Sequence, residues 1–410
     1  MHTRRTAVVG AGIGGLGVAL GLLDKGLVAG PELTVLDAEP GSGRIQTHTS
    51  PQGAVCDLGA ARYNPLLHPS LHGLLDRFGV RTRPYVHRVR YPTDEVARFA
   101  AADLSALGGH GGSFLEALSE VLGAPAADRF CASTGYGLLR DHRFSAPWGL
   151  EIVTTHPEVF RAEAYRGAWR APVAGLGALV RGIRDHLRGA GVRFLQPARL
   201  VGVRDGSGGL DLDILAGNGA RRELAVEQLV LAVPPGAVPA IRLPVDPAGF
   251  DWYPHLVDVP MFKGYLVFHD AWWRRYDLDQ VCVVADNELQ KIFFDSAGRT
   301  VSFYCDSANA DLLNRLRAGD TRTFHREVAA RIEQAVGRRL PQLAGLTDLV
   351  CRYWPAGVTY LGRGAPAVGP GCVRIADRIL LGTCAFSRNP GWVEGALDSA
   401  GDVVSHLAEG

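Results

Sequence analysis

The chain has 410 residues, of which 47% are hydrophobic and 21% charged, and this composition excludes a disordered protein. A formal net charge of +1 excludes a chain-wide electrostatic attraction to nucleic acid or to anionic membranes. The seven cysteines contain no C-x-x-C pair, which predicts reduced thiols of a cytoplasmic protein and not a disulfide framework.

The N-terminal segment has the outline of a signal peptide or a membrane span, because an uncharged run over 6–23 follows Arg4 and Arg5. Six of its residues are glycine, which is a poor composition for a hydrophobic helix, and the charged pair Asp24-Lys25 follows in place of a cleavage site. We therefore expect neither export nor membrane insertion.

The first elements predict a strand–helix–strand unit. A β-branched run over 6–10 indicates a buried strand, residues 13–27 have the apolar spacing of a helix, and residues 33–37 indicate a second strand. Two strands joined by a helix lie parallel, so a parallel sheet opens the chain.

The rest of the chain alternates between helical and strand patterns. Residues 66–190 are mostly helical, 200–215 form a hairpin around the glycines of 206–209, and 228–233 are a buried strand. Four strand-like runs without intervening helices indicate an antiparallel sheet: 264–268, 281–285, 292–294 and 301–304. The C-terminal part predicts an amphipathic helix over 324–336, a strand over 379–382 and a last helix over 391–406.

The glycine run between the first strand and the first helix has the G-x-G-x-x-G spacing of a dinucleotide-binding turn. Gly10 makes the tight turn, Gly12 lets the backbone approach a diphosphate, and the third glycine, within Gly14-Gly15, packs the helix on the strand. Asp37 ends the second strand, where a carboxylate that binds ribose belongs. The motif predicts a dinucleotide and does not distinguish FAD from NAD.

Further motifs resemble the flavin-dependent amine oxidase superfamily, which includes monoamine and L-amino acid oxidases. In chain order they are Gly43-Arg44, a D-L-G-A run over 57–60, an A-V-P-P strand end over 232–235 and a G-W-V-E-G-A run over 391–396. Within that superfamily, the runs over 59–69, 259–265, 286–293 and 353–357 resemble the bacterial L-tryptophan oxidases of violacein-type pathways. The resemblance spans nearly the whole chain and implies FAD.

The resemblance implies an α/β fold, with a Rossmann-type FAD-binding domain, an antiparallel-sheet substrate domain and a helical insertion. The expected domains are FAD-binding segments at 1–70, 191–245 and 365–410, a mainly helical domain at 71–190 and a substrate domain at 246–364.

Four residues carry the implied chemistry. Arg62 would grip the substrate α-carboxylate, since a guanidinium donates two parallel hydrogen bonds, with Tyr304 helping. Lys263 begins an apolar strand in a chain with 40 arginines and three lysines, and it would hold a water at flavin N5 to assist O₂ reduction. Trp392 would form one wall of an aromatic cage. The structural alternatives are a surface arginine, a strand-end lysine and core aromatic residues.

The expected cofactor-binding set is Gly10, Gly12, Gly14, Gly15, Asp37, Arg44, Ala61, Arg62, Leu200, Thr383, Cys384, Trp392 and Val393. Weaker candidates for the substrate pocket are Tyr136, His156 and Tyr360. The Thr383-Cys384 pair departs from the family, which has an acid there, and Ser42 stands where the family has a glycine before Arg44. Leu349 or Thr359 takes the position of the cysteine that binds flavin in monoamine oxidases, so non-covalent FAD is expected. His68 and His72 have a zinc-like spacing without a third ligand, and no metal is expected.

The expected function is oxidation of an L-amino acid, with tryptophan or another bulky side chain, to the imino acid and H₂O₂ in secondary metabolism. Alternatives are an amine or amide oxidase without a carboxylate requirement, and a non-catalytic escort of lipidated proteins. The resemblance allows a homodimer and a downstream enzyme that uses the imine.

Overall fold

The computed structural model describes residues 4–39, 41, 43–246, 249–340, 345–366 and 371–409. The α-helices within these residues are α1 (Ile13–Asp24), α2 (Pro69–Arg77), α3 (Val96–Ala101), α4 (Phe114–Leu122), α5 (Ala124–Thr134), α6 (Ala146–Thr155), α7 (Glu163–Arg166), α8 (Gly177–Gly189), α9 (Ser307–Ala318), α10 (Thr321–Val336) and α11 (Val393–Glu409). The strands are β1 (Thr6–Val9), β2 (Leu33–Leu36), β3 (Thr47–Thr49), β4 (Val55–Asp57), β5 (Thr82–Pro84), β6 (Arg88–Arg90), β7 (Arg170–Pro172), β8 (Arg193–Leu195), β9 (Ala198–Gly206), β10 (Gly209–Ala216), β11 (Arg221–Val226), β12 (Gln228–Leu231), β13 (Leu256–Phe268), β14 (Val281–Val284), β15 (Lys291–Asp295), β16 (Thr300–Asp306), β17 (Leu346–Leu361), β18 (Cys372–Ala376) and β19 (Ile379–Gly382).

A six-stranded sheet in the order β18-β19-β12-β1-β2-β8 joins segments that are far apart in the chain. Its neighbours pair in parallel except β18 and β19. Every residue of β1, β2, β12 and β19 is buried, because helices α1, α8 and α11 pack on one face of the sheet and strands β9, β10 and β11 pack on the other. The predicted parallel sheet is confirmed, whereas the predicted domain boundaries stay a prediction.

Helix α1 packs closely against the last helix, α11, through its glycines. A Cβ atom at Gly21 would lie 2.9 Å from the Val404 side chain, and one at Gly17 would lie 3.1 Å from Ala400. The glycines that make this segment a poor membrane helix therefore let two helices approach each other. No helix in the described ranges is long and apolar enough to cross a membrane.

A second six-stranded sheet has the order β17-β13-β16-β15-β14-β6. Its pairs are antiparallel, which confirms the predicted antiparallel sheet, and β6 adds one parallel edge pair with β14. Strand β13 is much longer than predicted and pairs along its length with β17, which was not predicted. Strand β17 escaped prediction because it is half-buried over most of its length and mixes polar with apolar residues without a clear period.

The predicted hairpin is confirmed by β9 and β10, which pair across Gly206 and Gly209, and β11 extends it to three strands. The segment between β4 and β8 is mostly helical as predicted, although β5, β6 and β7 interrupt it. This helical segment has its own core of phenylalanine and leucine side chains, against which the β13 and β17 ends nearest the cavity also pack. Helices and both large sheets therefore surround a common interior space.

Candidate active site

A cavity of about 840 Å³ opens where the parallel strands end. Gly10 follows β1, Asp37 follows β2, Ala232 follows β12 and Thr383 follows β19, and all four line this cavity. Ligands bind at the carboxyl ends of strands in open α/β sheets, because helix N-termini and loops meet there. The opposite part of the cavity is bounded by the second sheet and the helical segment.

The glycine turn leaves the start of α1 open to a ligand. Gly10 has a φ of 107°, which favours glycine, and a Cβ atom at Gly15 would lie 1.8 Å from the Gly10 carbonyl oxygen. Gly12 caps the helix without a side-chain hydrogen bond, and the first turn has no acidic residue. Backbone N–H groups at the start of this helix are therefore available to a diphosphate.

Most of the predicted cofactor-binding residues meet at this cavity. Those that line it are Gly10, Gly12, Gly14, Asp37, Arg44, Ala61, Arg62, Thr383, Cys384, Trp392 and Val393. Gly15 does not line the cavity and instead packs the helix on the turn. Leu200 does not line it either: its side chain is 3% exposed and belongs to a core cluster, and its neighbour Arg199 reaches the cavity. Neighbouring strand residues face opposite sides of a sheet, so the Leu200 side chain is directed into the core. A cofactor contact at Leu200 stays a prediction, and only its backbone could make that contact.

Arg44 contacts Cys384, the second residue of the Thr383-Cys384 pair. The Arg44 guanidinium donates to the Cys384 thiol sulfur at 3.2 Å and to the Gly357 carbonyl oxygen at 3.0 Å. The Thr383 hydroxyl accepts a hydrogen bond from the Ala385 amide at 3.4 Å. The departure from the family acid therefore comes with its own arginine contact.

Arg62 lies at the cavity with its charge already paired. Its two terminal nitrogens donate to the two carboxylate oxygens of Glu158, one of them at 2.9 Å. The Tyr136 and Tyr85 hydroxyls lie 3.4 and 3.5 Å from the same guanidinium. Glu158, which is 2% exposed, was not among the predicted site residues. The only sequence signal for it was its place two residues after His156.

Three aromatic rings pack against Trp392, and its role as one wall of a cage stays a prediction. Its ring centroid lies 4.6 Å from His68, 4.9 Å from His156 and 5.1 Å from Trp169. Burial lowers the pKa of His68 to about 4, and burial with the nearby Arg62 charge lowers the pKa of His156 well below its ordinary value. Both imidazoles are therefore neutral at physiological pH and form part of an uncharged wall.

The three remaining predicted pocket tyrosines also line the cavity. The Tyr136 ring lies 6.3 Å from the Tyr304 ring and 5.1 Å from His156. The Tyr304 hydroxyl donates to the Met261 sulfur at 3.3 Å, which leaves its oxygen free to accept. Tyr360 packs edge-on against Phe144 at 4.9 Å.

Lys263 projects from β13 into the same cavity. Its ammonium donates to the Gly59 carbonyl oxygen at 3.1 Å. Burial lowers the pKa of Lys263 to about 8, the Asp57 carboxylate opposes that shift, and Arg62 adds to it. The side chain can thus gain or lose a proton near neutral pH, and its role in O₂ reduction stays a prediction.

Lys291 is a second lysine at the cavity and is fully buried, and it was not predicted as a site residue. Its ammonium donates to the Gly135 carbonyl oxygen at 2.6 Å and lies over the rings of Tyr136 and Tyr304. Burial lowers the pKa of Lys291 to about 7, and Asp306 opposes that shift. The available signal was its place as one of three lysines, at the head of the apolar run that forms β15.

Comparison with known proteins identifies the family. Residues 5–393 match the model of the family described as FAD dependent oxidoreductase. The chain belongs to this family. The fold is shared with a double mutant of putrescine oxidase redesigned for cofactor binding, at a TM-score of 0.75, 19% identity and coverage of 100% of this chain and 99% of that chain. It is also shared with cyclohexylamine oxidase from Brevibacterium oxydans IH-35A, at a TM-score of 0.76, 16% identity and 99% coverage of both chains.

Membership of this family resolves the choice that the glycine motif left open, and FAD is the cofactor. The open start of α1, the adjoining Asp37 carboxylate and the glycine contacts all fit a dinucleotide. The prediction that FAD is bound without a covalent link stays a prediction. At these low sequence identities, the two oxidases show only that the fold is shared. Their amine substrates are not thereby assigned to this chain.

Proposed function

We propose that this FAD-dependent oxidoreductase is an L-amino acid oxidase for substrates with a bulky aromatic side chain, tryptophan being the first choice. The observation that carries the proposal is the Arg62 guanidinium, held at a cavity whose walls are aromatic rings. A guanidinium at such a site recognises a carboxylate by two parallel hydrogen bonds. The resemblance to bacterial L-tryptophan oxidases, carried by the motifs above, favours an indole.

The proposed roles follow from chemistry and position. Arg62 and Tyr304 hold the α-carboxylate, and the wall around Trp392 holds the rest of the substrate away from water. Bound FAD supplies the acceptor for the hydride from Cα and passes the electrons to O₂. Lys263 holds a water close to that reaction and supplies or removes a proton there. Positioning accounts for most of the expected rate effect, since no strong base is required at Cα.

A second candidate is an amine oxidase that needs no substrate carboxylate. The observation in its favour is that Glu158 already occupies both terminal nitrogens of Arg62. The putrescine and cyclohexylamine oxidases that share the fold act on amines, as their names state. A buried carboxylate of this kind would then receive the amine of the substrate.

The two candidates differ in their requirement for a carboxylate. Purified holoenzyme is mixed anaerobically with L-tryptophan, D-tryptophan and tryptamine, and flavin bleaching is followed by absorbance. If the protein is an L-amino acid oxidase, we expect L-tryptophan alone to bleach the flavin. We also expect the Arg62→Lys substitution to raise the KM for amino acids about 100-fold. Bleaching by tryptamine at the rate of L-tryptophan, or an unchanged KM in the variant, would favour the amine oxidase.

The fate of the product belongs to the same proposal. The imino acid either hydrolyses to the keto acid or passes to a further enzyme of secondary metabolism, and O₂ reoxidation yields H₂O₂. A homodimer remains a proposal from the family resemblance. Peroxide released per substrate consumed, measured with and without catalase, tests the electron acceptor.

A further inference from the structure

We propose that Glu158 is a second substrate-binding group that changes partner: the substrate carboxylate takes Arg62, and Glu158 takes the α-ammonium and accepts one proton from it. This inference rests on the proposed amino acid oxidase function. The amino acid oxidase proposal gives Glu158 no role, and this inference assigns it the binding and deprotonation of the substrate ammonium.

The Arg62–Glu158 pair offers one positive and one negative group, which matches the two charges of a zwitterionic amino acid. Glu158 receives both terminal nitrogens of Arg62, and one of its oxygens also accepts from the Tyr136 hydroxyl at 3.2 Å. The Glu158 side chain is 3% exposed and that of Arg62 is 15% exposed, and both residues line the cavity. One positive and one negative group therefore lie side by side at the place where an amino acid would bring one of each.

Charge balance favours exchange of partners over addition of a third charge. The Arg62–Glu158 pair carries no net charge, and neither does a zwitterionic amino acid. After the exchange, Arg62 is paired with the substrate carboxylate and Glu158 with the substrate ammonium. No buried charge is left unpaired, which is the condition under which buried ions are tolerated. A simple ammonium lacks the carboxylate that would free Glu158 from Arg62, and it would add a positive charge near Lys263 and Lys291.

The exchange also prepares the substrate for oxidation. Hydride can leave Cα only when the nitrogen has an unprotonated lone pair, so the α-ammonium must first lose a proton. Unlike the guanidinium of Arg62, the ammonium that replaces it can give up a proton, and burial favours the neutral amine and carboxylic acid over the charged pair. The N–H bond of the ammonium breaks, an O–H bond forms on Glu158, and the electron pair stays on nitrogen; no oxidant takes part in this step.

The neighbouring histidines and tyrosines do not compete for this proton at neutral pH, and the two nearby lysines are present in both wild type and Glu158→Gln, so comparison of the two proteins isolates the proton that Glu158 takes. The charged and titratable groups around the pair are Tyr85, Tyr136, His68, His87, His156, Lys263, Lys291 and Cys282. Burial keeps the histidines neutral, with the pKa of His68 lowered to about 4, and burial raises the pKa of the Tyr136 phenol. Lys291, with a pKa of about 7, lies over the Tyr136 ring and donates to the Gly135 carbonyl oxygen.

A binding experiment tests the exchange without turnover. Indole-3-propionate has the carboxylate of the substrate and lacks the ammonium, so its binding should free Glu158 and draw a proton from solution. Calorimetric titration of the holoenzyme at pH 7, in two buffers of different ionisation enthalpy, counts these protons. We expect uptake of about one proton per ligand by wild type and none by Glu158→Gln. Glu120→Gln, which changes a carboxylate that is 71% exposed, should match wild type.

Anaerobic flavin reduction by L-tryptophan gives the second readout. Glu158→Gln should reduce flavin at least about 10-fold more slowly at pH 7 and recover as pH approaches the pKa of the free amine. Glu158→Asp, which keeps the charge, should retain part of the proton uptake and a near-normal pH profile. It also serves if Glu158→Gln does not fold.

Two outcomes would overturn the inference and are distinct from failure of the proposed function. Equal proton uptake in wild type and Glu158→Gln, or none in either, would show that the ligand leaves the pair intact. An unchanged pH profile of flavin reduction in Glu158→Gln would have the same meaning. If wild type neither binds indole-3-propionate nor is reduced by any amino acid, the amino acid oxidase proposal itself falls, and Glu158 with it.

Discussion

The Lys291 ammonium lies 3.0 Å from the centroid of the Tyr136 ring, and 4.4 Å from that of Tyr304, so one buried cation supports two walls of the cavity. The Tyr136 hydroxyl in turn donates to Glu158. A cation over an aromatic face is attracted by about 2 kcal/mol when both are desolvated. The position of the Arg62–Glu158 pair is thus linked to a lysine on β15 of the second, antiparallel sheet.

Replacing Lys291 by methionine should remove a pH dependence of stability. The folded protein holds Lys291 with a pKa of about 7, whereas the unfolded chain keeps the ordinary value of 10.5. Between these values the unfolded state binds more protons, so wild type gains about 1 kcal/mol of unfolding free energy per pH unit as pH rises, relative to Lys291→Met. Urea unfolding at pH 7 and pH 9 measures this. Lys25→Met, at an exposed position, is the control and should behave as wild type. If the unfolding free energies of wild type and Lys291→Met change equally between pH 7 and pH 9, the prediction is refuted.

Replacing Lys263 by methionine should slow the oxidative half of the reaction. Lys263 is half-buried at the cavity, and desolvation lowers its pKa to about 8, so it can exchange a proton in the working range of pH. We expect reoxidation of reduced flavin by O₂ to be about 100-fold slower, with the rate of reduction by substrate nearly unchanged. Stopped-flow mixing of reduced enzyme with O₂ gives the rate. An effect confined to substrate reduction would argue for a substrate-positioning role.

Replacing Gly15 by alanine should release FAD. The new Cβ would lie 1.8 Å from the Gly10 carbonyl oxygen, so α1 must move away from the turn whose amides face the diphosphate. We expect overpacking to cost about 1–3 kcal/mol and the purified variant to lose most of its flavin. The ratio of flavin to protein absorbance reports this. Gly73→Ala, on an open face of α2, should keep its flavin.

Replacing Glu394 by alanine should destabilise the protein through α2. The Glu394 carboxylate accepts from the Ser70 and Leu71 amides at 2.7 and 2.8 Å, and so caps the start of that helix from α11. Loss of both acceptors should cost about 2 kcal/mol, since two backbone donors lose a charged partner. Thermal unfolding measures the loss. Glu409→Ala, at the exposed end of α11, should leave Tm unchanged, and equal Tm values for both variants would disprove the cap.

Local sequence determined the parts of the site that depend on backbone form. The turn at Gly10, the helix that begins at Ile13 and the carboxylate Asp37 follow from spacing alone, because a strand, a tight turn and a helix are specified by neighbours in the chain. The same holds for the hairpin between Gly206 and Gly209. Family resemblance then assigned Lys263, Arg62, Tyr304 and Trp392, and all four line one cavity.

Tertiary structure alone decided which groups neutralise one another. Glu158 is 96 residues from Arg62, and Lys291 is 156 residues from its acceptor Gly135, so no local pattern pairs them. Leu200 and Arg199 show the same limit, since the face that a strand residue presents is set by what packs against the sheet. The sequence by itself determined the nucleotide-binding frame and the residue types available for chemistry. Long-range packing fixes burial and charge partners together. It decided that Arg62, the candidate carboxylate-binding residue, is paired with the buried Glu158 in the absence of substrate.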